Sequence, residues 1–204
     1  PEEVWIHTVK PEDAPDVPEY IEIGFEKGIP VSLNGQEMDG VSLITKLNEI
    51  AGAHGVGRID HVEDRLVGIK SRETYECPAA VTLISAHQAL ETMTLPRDTI
   101  EYKRGIEQKF SQIIYDGLWF GGLREPLQAF IDATQEYVTG TVRMKLFKGS
   151  ATIVGRKSPY SLYSEEIATF GESDYNQKDA EGFINLFGLS TKVRAMKMQE
   201  LGEL

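Results

Sequence analysis

Two stretches of this chain, YIEIGFEKGIPVSLN (20–34) and TGTVRMKLFKGSATIVGRKS (139–158), alternate apolar and polar residues on either side of a Lys-Gly pair. In a strand, successive side chains point to opposite faces, so Ile21, Ile23 and Phe25 share one face while Glu22, Gly24 and Glu26 share the other. Val142, Met144 and Leu146 alternate with Arg143 and Lys145 in the same way. A two-residue reversal at Lys27-Gly28 or Lys148-Gly149 returns the chain beside itself, which produces antiparallel pairing. Hairpins of this kind separated by runs of helix argue against a doubly wound parallel sheet, whose strands must alternate singly with helices. The expected class is therefore α+β: an antiparallel (mixed) sheet built from hairpins, flanked by helices, with a C-terminal helical arm.

Apolar residues at helical spacing supply the flanking elements. Leu43, Leu47 and Ile50 predict a helix capped by Asp39 or Ser42 and ending at Gly52. Val81, Ile84 and Leu90 predict another over 78–94, with Pro78 in its first turn. A third opens at Asp98, where Asp98 and Glu101 have capping-box spacing, and buries Ile106, Phe110, Ile113 and Ile114. A fourth runs over 126–138 with Leu127, Phe130, Ile131 and Thr134 inward. VWIHTV (4–9) reads as a strand, KPEDAPDVPE as an exposed loop, and RIDHVEDRLVGIKSRETYE (58–76) as two short strands joined around Glu63–Arg65. At the C-terminus, DAEGFINLFGL and STKVRAMKMQELGEL predict two helices broken at Gly188, the second capped by Ser190. That last helix carries a thin stripe of Val193, Met196 and Leu201, which is expected to dock on a partner subunit. Two domains are expected, 1–182 and a helical oligomerisation arm over 183–204.

A chain of 204 residues can bury a sizeable core without staples, and its single cysteine cannot form an internal bridge. Cys77 lies before Pro78 with no basic neighbour beside it, and reads as structural. One cysteine without a disulfide framework suits a reducing, cytoplasmic setting. The net charge of −11 opposes attraction to a polyanion, so nucleic acid is not an expected partner. No apolar run reaches membrane-spanning length, and no secretory leader pattern is present. The first residue is proline, as though the chain were cut from something longer.

The glycine-rich stretch GAHGVG (52–57) follows a helical pattern and precedes a strand. A phosphate loop has the opposite order, strand before and helix after, so these glycines read as a helix end and a tight connection. The four histidines, His7, His54, His61 and His87, form no metal-ligand spacing. There is no Walker loop and no G-x-S-x-G elbow. Arg156 and Lys157 could bind an anion, but Ser158-Pro159 makes GRKSPYSLY read first as a turn. Glu63 and Tyr75 lie twelve positions apart across the inferred strand pair, where a carboxylate and a phenol could together hold a polar amide or urea-like group. The plainer reading has Tyr75 plugging the core edge while Glu63 pairs with Arg65 or Lys70.

The blocks GVGRIDHVEDRLVGIKSRETYE, LREPLQAFIDATQEYVTGTV, VGRKSPYSLY and QKDAEGFINLFGL together resemble the C-terminal synthetase and multimerisation domain of the argininosuccinate synthase family. The resemblance covers nearly the whole chain. It implies a ligase that joins citrulline to aspartate: ATP adenylates the ureido oxygen, and the aspartate amine then displaces AMP, giving argininosuccinate and pyrophosphate. It also implies that Glu63, in VEDRLVG, and Tyr75, in SRETYE, contact citrulline, which reverses the plainer reading of that pair. The family's ATP site, with Mg2+, belongs to an N-terminal nucleotide-binding domain with an SGG-type loop that this chain lacks. The fragment alone is then expected to be inactive, with no catalytic or cofactor-binding residue of its own, and the C-terminal helix is expected to help build a homotetramer. The alternative is a structural oligomerisation module that binds no ligand independently.

Overall fold

Each Lys-Gly pair reverses the chain because both of its residues take positive φ, 47° and 78° at Lys27-Gly28 and 42° and 83° at Lys148-Gly149. That geometry matches the right-handed twist of the arms it joins. In the computed structural model, which describes residues 2–168 and 176–203, these turns connect β1 (Glu19–Glu26) to β2 (Ile29–Leu33) and, later, β6 (Gly140–Phe147) to β7 (Ser150–Lys157). The outer limits of the expected domains, residues 1 and 204, lie outside the described residues. A further reversal of the same kind, at Asn34-Gly35, adds the short strand β3 (Gln36–Glu37), which the sequence pattern did not separate. The other elements up to Leu162 are α1 (Gly40–Ala53), β4 (Arg58–Asp64), β5 (Lys70–Glu76), α2 (Pro78–Thr94), α3 (Arg97–Tyr115) and α4 (Arg124–Thr134).

The sheet order β3-β2-β1-β6-β7 brings the two hairpins together through β1 and β6. Their antiparallel register sets Ile21 opposite Met144 and Ile23 opposite Val142. Ile21, Ile23, Phe25, Val142, Met144 and Leu146 are all 3% exposed or less, so the faces expected from period two are the buried ones. Burial of each such side chain contributes roughly 1.5–3 kcal/mol relative to exposure. Helix α1 packs on β2 and α2, and α2 on β6 and β7. The class is α+β, with an antiparallel five-stranded sheet and a separate two-stranded one formed by β4 and β5.

Several local expectations are corrected. Residues 4–9 form no strand: a 3-10 turn covers Glu2–Val4, and the segment after it has no sheet partner among the described residues. Its backbone is satisfied otherwise, with Ile6 and His7 N–H donating to the Glu76 carboxylate and Val9 N–H to the Gly52 carbonyl. In α2, Ala79, Thr82, Ala86, Ala89 and Leu90 face the core while Ile84 is 57% exposed. Small side chains let the helix lie close to the sheet, which outweighs the bulk of Ile84 in setting the buried face. The capping box of α3 does not form: the helix starts at Arg97, and Glu101 pairs with the Arg97 side chain at 2.8 Å. Ile113 is buried, but Ile114 is half exposed. Helix α4 starts at Arg124 and ends at Thr134, earlier at both ends than expected, although Val138 beyond it is fully buried.

Residues from Tyr163 onward form a second compact unit. Its described elements are α5 (Glu165–Ala168), α6 (Asp179–Phe187) and α7 (Leu189–Glu200). Gly188 closes α6 and opens α7 in a helical conformation, so Ser190 lies inside α7, and the N-cap position expected for it is taken by Gly188. Phe183 and Phe187 stack at 5.2 Å on α6.

Candidate functional site

The β4–β5 hairpin carries the site because its register places Ile59, His61 and Glu63 opposite Tyr75, Glu73 and Ser71, all on one face. Glu63 and Asp64 belong to the strand itself, and the turn begins only at Arg65, two residues later than the polar cluster suggested. Tyr75 leans along this face past His61, its ring tilted against the imidazole at 5.5 Å. Its hydroxyl donates to Glu63 Oε2 at 2.9 Å. The two residues singled out in the sequence therefore touch. His61 Nε2 lies 3.2 Å from the same oxygen, and donates to it when that nitrogen is protonated.

The other carboxylate oxygen, Oε1, has looser neighbours: the Tyr115 hydroxyl at 3.4 Å and Arg65 Nη1 at 3.7 Å. Arg65 is drawn away from it by a hydrogen bond to Ser71 Oγ and an ion pair with Glu73. Lys70 pairs with Asp64, not with Glu63. Hydrogen bonds from His61 and Tyr75, outweighing burial and aided by the Arg65 charge, hold the Glu63 carboxyl below its ordinary range. The hydrogen bond to Glu63, together with burial and the Glu63 and Glu73 charges, pushes the Tyr75 phenol above its own. Near neutral pH the pair is thus a carboxylate and an intact phenol. With the phenol proton directed at Glu63, the phenol oxygen lone pairs and Oε1 remain as acceptors. Such a face suits a ligand rich in N–H donors.

The glycine corner explains how the hairpin leaves the helix. Gly55 and Gly57 have φ of +73° and +94°. A Cβ at Gly52, Gly55 or Gly57 would lie 2.6, 2.8 or 2.5 Å from the His7 carbonyl oxygen, the Val9 carbonyl oxygen or the Pro78 nitrogen. The corner is filled by the chain's own backbone at the C-terminal end of α1, where carbonyls are presented, and it offers no phosphate cradle. Cys77 lies in the same packed region, its Sγ 3.6 Å from the Gly57 carbonyl, and burial raises its thiol pKa, as a structural cysteine requires. Ser158 Oγ donates to the Thr139 carbonyl and accepts from Tyr160 N–H, the turn expected there. A cavity of about 610 Å³, lined by residues including His87, Phe110, Ile131 and Gln135, has neither Glu63 nor Tyr75 in its lining. Lys103 in its lining is paired with Glu91 and Glu107, so the buried charge there is compensated.

A family model described as the arginosuccinate synthase C-terminal domain matches residues 1–194. This chain belongs to that family. It is 62% identical to an argininosuccinate synthase of Symbiobacterium thermophilum over 96% of this chain and 49% of that protein. It is 59% identical to one of Crocosphaera subtropica over 97% and 50%, and 60% identical to one of Trichodesmium erythraeum over 98% and 50%. The chain thus spans about half the length of these curated relatives. Among the described residues no group of three or more His, Cys, Asp or Glu side chains is arranged to hold a metal ion, and the glycine corner has the wrong polarity and no free space for phosphate. No described helix is long and apolar enough to cross a membrane.

Two neighbours of Glu63 in this argininosuccinate synthase domain escaped sequence reasoning. His61 could have been found, since it lies two residues before Glu63 and so on the same strand face. Tyr115 could not, because α3 brings it from 52 positions away and no local pattern connects the two.

Proposed function

We propose that this chain contributes part of the citrulline site of an argininosuccinate synthase, with Glu63 and Tyr75 as the contacting residues. The observation that supports it is the 2.9 Å hydrogen bond between the two side chains, which leaves Oε1 and the phenol oxygen as acceptors. Citrulline offers an ammonium group and ureido N–H groups, the donors such a wall would take. In the complete reaction, the ATP-dependent condensation of citrulline with aspartate to argininosuccinate, AMP and pyrophosphate, these residues hold and orient one substrate. Orientation of this kind is a large part of what a ligase supplies. The ATP site, with Mg2+, and the aspartate contacts belong to polypeptide outside these 204 residues. A cytoplasmic setting and a homotetramer assembled through residues 183–204 complete the proposal.

The test is a citrulline titration of the chain followed by NMR, comparing the parent with Glu63→Gln and Tyr75→Phe. Weak, saturable shifts of hairpin resonances are expected in the parent, since on this reading it supplies only part of the citrulline contacts. They should be lost in Glu63→Gln and reduced in Tyr75→Phe. A parent chain without a citrulline response, or a Glu63→Gln variant that responds equally, overturns the reading in favour of a purely structural module. The chain alone should release no pyrophosphate from ATP with citrulline and aspartate. Turnover in that assay would show that the nucleotide site lies within it.

A further inference from the structure

We propose that Tyr115 is a positioning residue for Glu63, holding the carboxylate at Oε1 while Tyr75 and His61 hold it at Oε2, so that Oε1 is set for the substrate's nitrogen. The inference rests on the citrulline reading above and adds a residue to it. Tyr75 and His61 both bind Oε2 and both come from the β4–β5 hairpin. By themselves they leave the plane of the carboxylate free to pivot about Oε2. Tyr115 is the last residue of α3, and its hydroxyl lies 3.4 Å from Oε1 and 3.4 Å from the Asp64 carbonyl oxygen. One O–H shared between two acceptors, each beyond the usual length of about 2.7–2.8 Å, makes a directing contact that leaves Oε1 a lone pair for an entering N–H donor.

The end of α3 is firm enough to perform this role. Ile113, 4% exposed, anchors it in the core. Asp116, Gly117 and Leu118 N–H donate back to the Gln112, Ile114 and Ile113 carbonyls, fixing the backbone on both sides of Tyr115. Tyr115 as a residue is 53% exposed, so removing its hydroxyl opens no cavity and changes little except the contact to Glu63 and Asp64.

The alternative is that Tyr115 only ties α3 to the end of β4 through the Asp64 carbonyl. The two readings separate in Tyr115→Phe, measured in the full 204-residue chain. Positioning predicts that the Glu63 carboxyl, followed by its 13C side-chain resonance, titrates at higher pH than in the parent, as expected for a carboxylate that has lost a donor. It also predicts a citrulline affinity about three- to tenfold weaker, the loss of one hydrogen bond. Tyr115→Ala should do the same or more, and Tyr115→Phe decides the matter should the alanine variant not fold. A Tyr115→Phe chain whose Glu63 titration is unchanged, whatever its melting temperature, overturns the proposal. If the parent shows no citrulline response at all, the substrate reading fails, and the Glu63 titration, which needs no ligand, still decides whether Tyr115 governs this carboxylate.

Discussion

Gly57 stands where no side chain can: with φ at +94°, a Cβ there would meet the Pro78 nitrogen at 2.5 Å and the Cys77 carbonyl carbon at 2.6 Å. Both neighbours are main chain and cannot swing aside. Its carbonyl also accepts from Cys77 N–H, closing the base of the β4–β5 hairpin. Gly35 has a similar φ, +77°, but nothing within 4 Å of the position a Cβ would take. Gly35→Ala therefore carries only the left-handed backbone strain, about 1 kcal/mol, whereas Gly57→Ala adds a main-chain clash and should exceed about 2 kcal/mol. Denaturant unfolding of the two variants measures the difference, and equal losses would mean that the close approach is unimportant. At this scale the sequence was informative in one respect and blind in another. A glycine cluster between a helix and a strand announces unusual backbone, but it does not say which strands of chain crowd against it.

The β4–β5 hairpin is the element on which the candidate site depends, and among the described residues its strands pair only with each other. Its base is tied to the N-terminal segment through Glu76, whose carboxylate accepts from Ile6 and His7 N–H and from the Thr8 hydroxyl at 2.6–2.9 Å. Arg58, at the other corner of the base, binds Thr8 and Glu2 and lies 5.0 Å from the centre of the Trp5 ring. Burial tends to raise the Glu76 pKa, but the bonds from Thr8, Ile6 and His7 outweigh it and bring it below the ordinary glutamate value. A carboxyl lowered by folding contributes stability that is complete above its unfolded pKa and is lost as pH falls through the folded one. Acidification below the ordinary glutamate range should therefore release the segment, seen as a change in Trp5 fluorescence in a Trp119→Phe background. Glu76→Ala should give the released signal already at neutral pH and cost about 1–3 kcal/mol. An unchanged Trp5 signal in that variant would show that Glu76 does not hold the segment. The sequence reading missed this tie and predicted a strand over 4–9, because β-branched and aromatic residues signal an extended chain without naming its hydrogen-bond partner. Here the partner is a side chain some 70 positions away.

At the scale of the molecule, the second unit leaves Leu186 and Phe187 more than three-quarters exposed, and Val193 and Met196 about half exposed. Apolar surface of this kind is characteristic of an association face. Deletion of residues 189–204 is expected to lower the mass of the assembly measured by light scattering. An unchanged mass would remove α7 from the proposed tetramer contact.

What the sequence by itself determined is everything governed by neighbours a few residues apart. Period two in 20–34 and 139–158 with Lys-Gly reversals dictated both hairpins and their buried faces. Helical spacing over 40–53 and 78–94 dictated α1 and α2, and the motif blocks pointed to the argininosuccinate synthase family. Only the tertiary structure decided which face of α2 meets the sheet, that 4–9 is held by a carboxylate and not by a strand, and that Tyr115 reaches Glu63. Each of these depends on a partner distant in the chain, chosen by packing and by the need of every buried polar group for a partner, and local pattern carries no record of that choice.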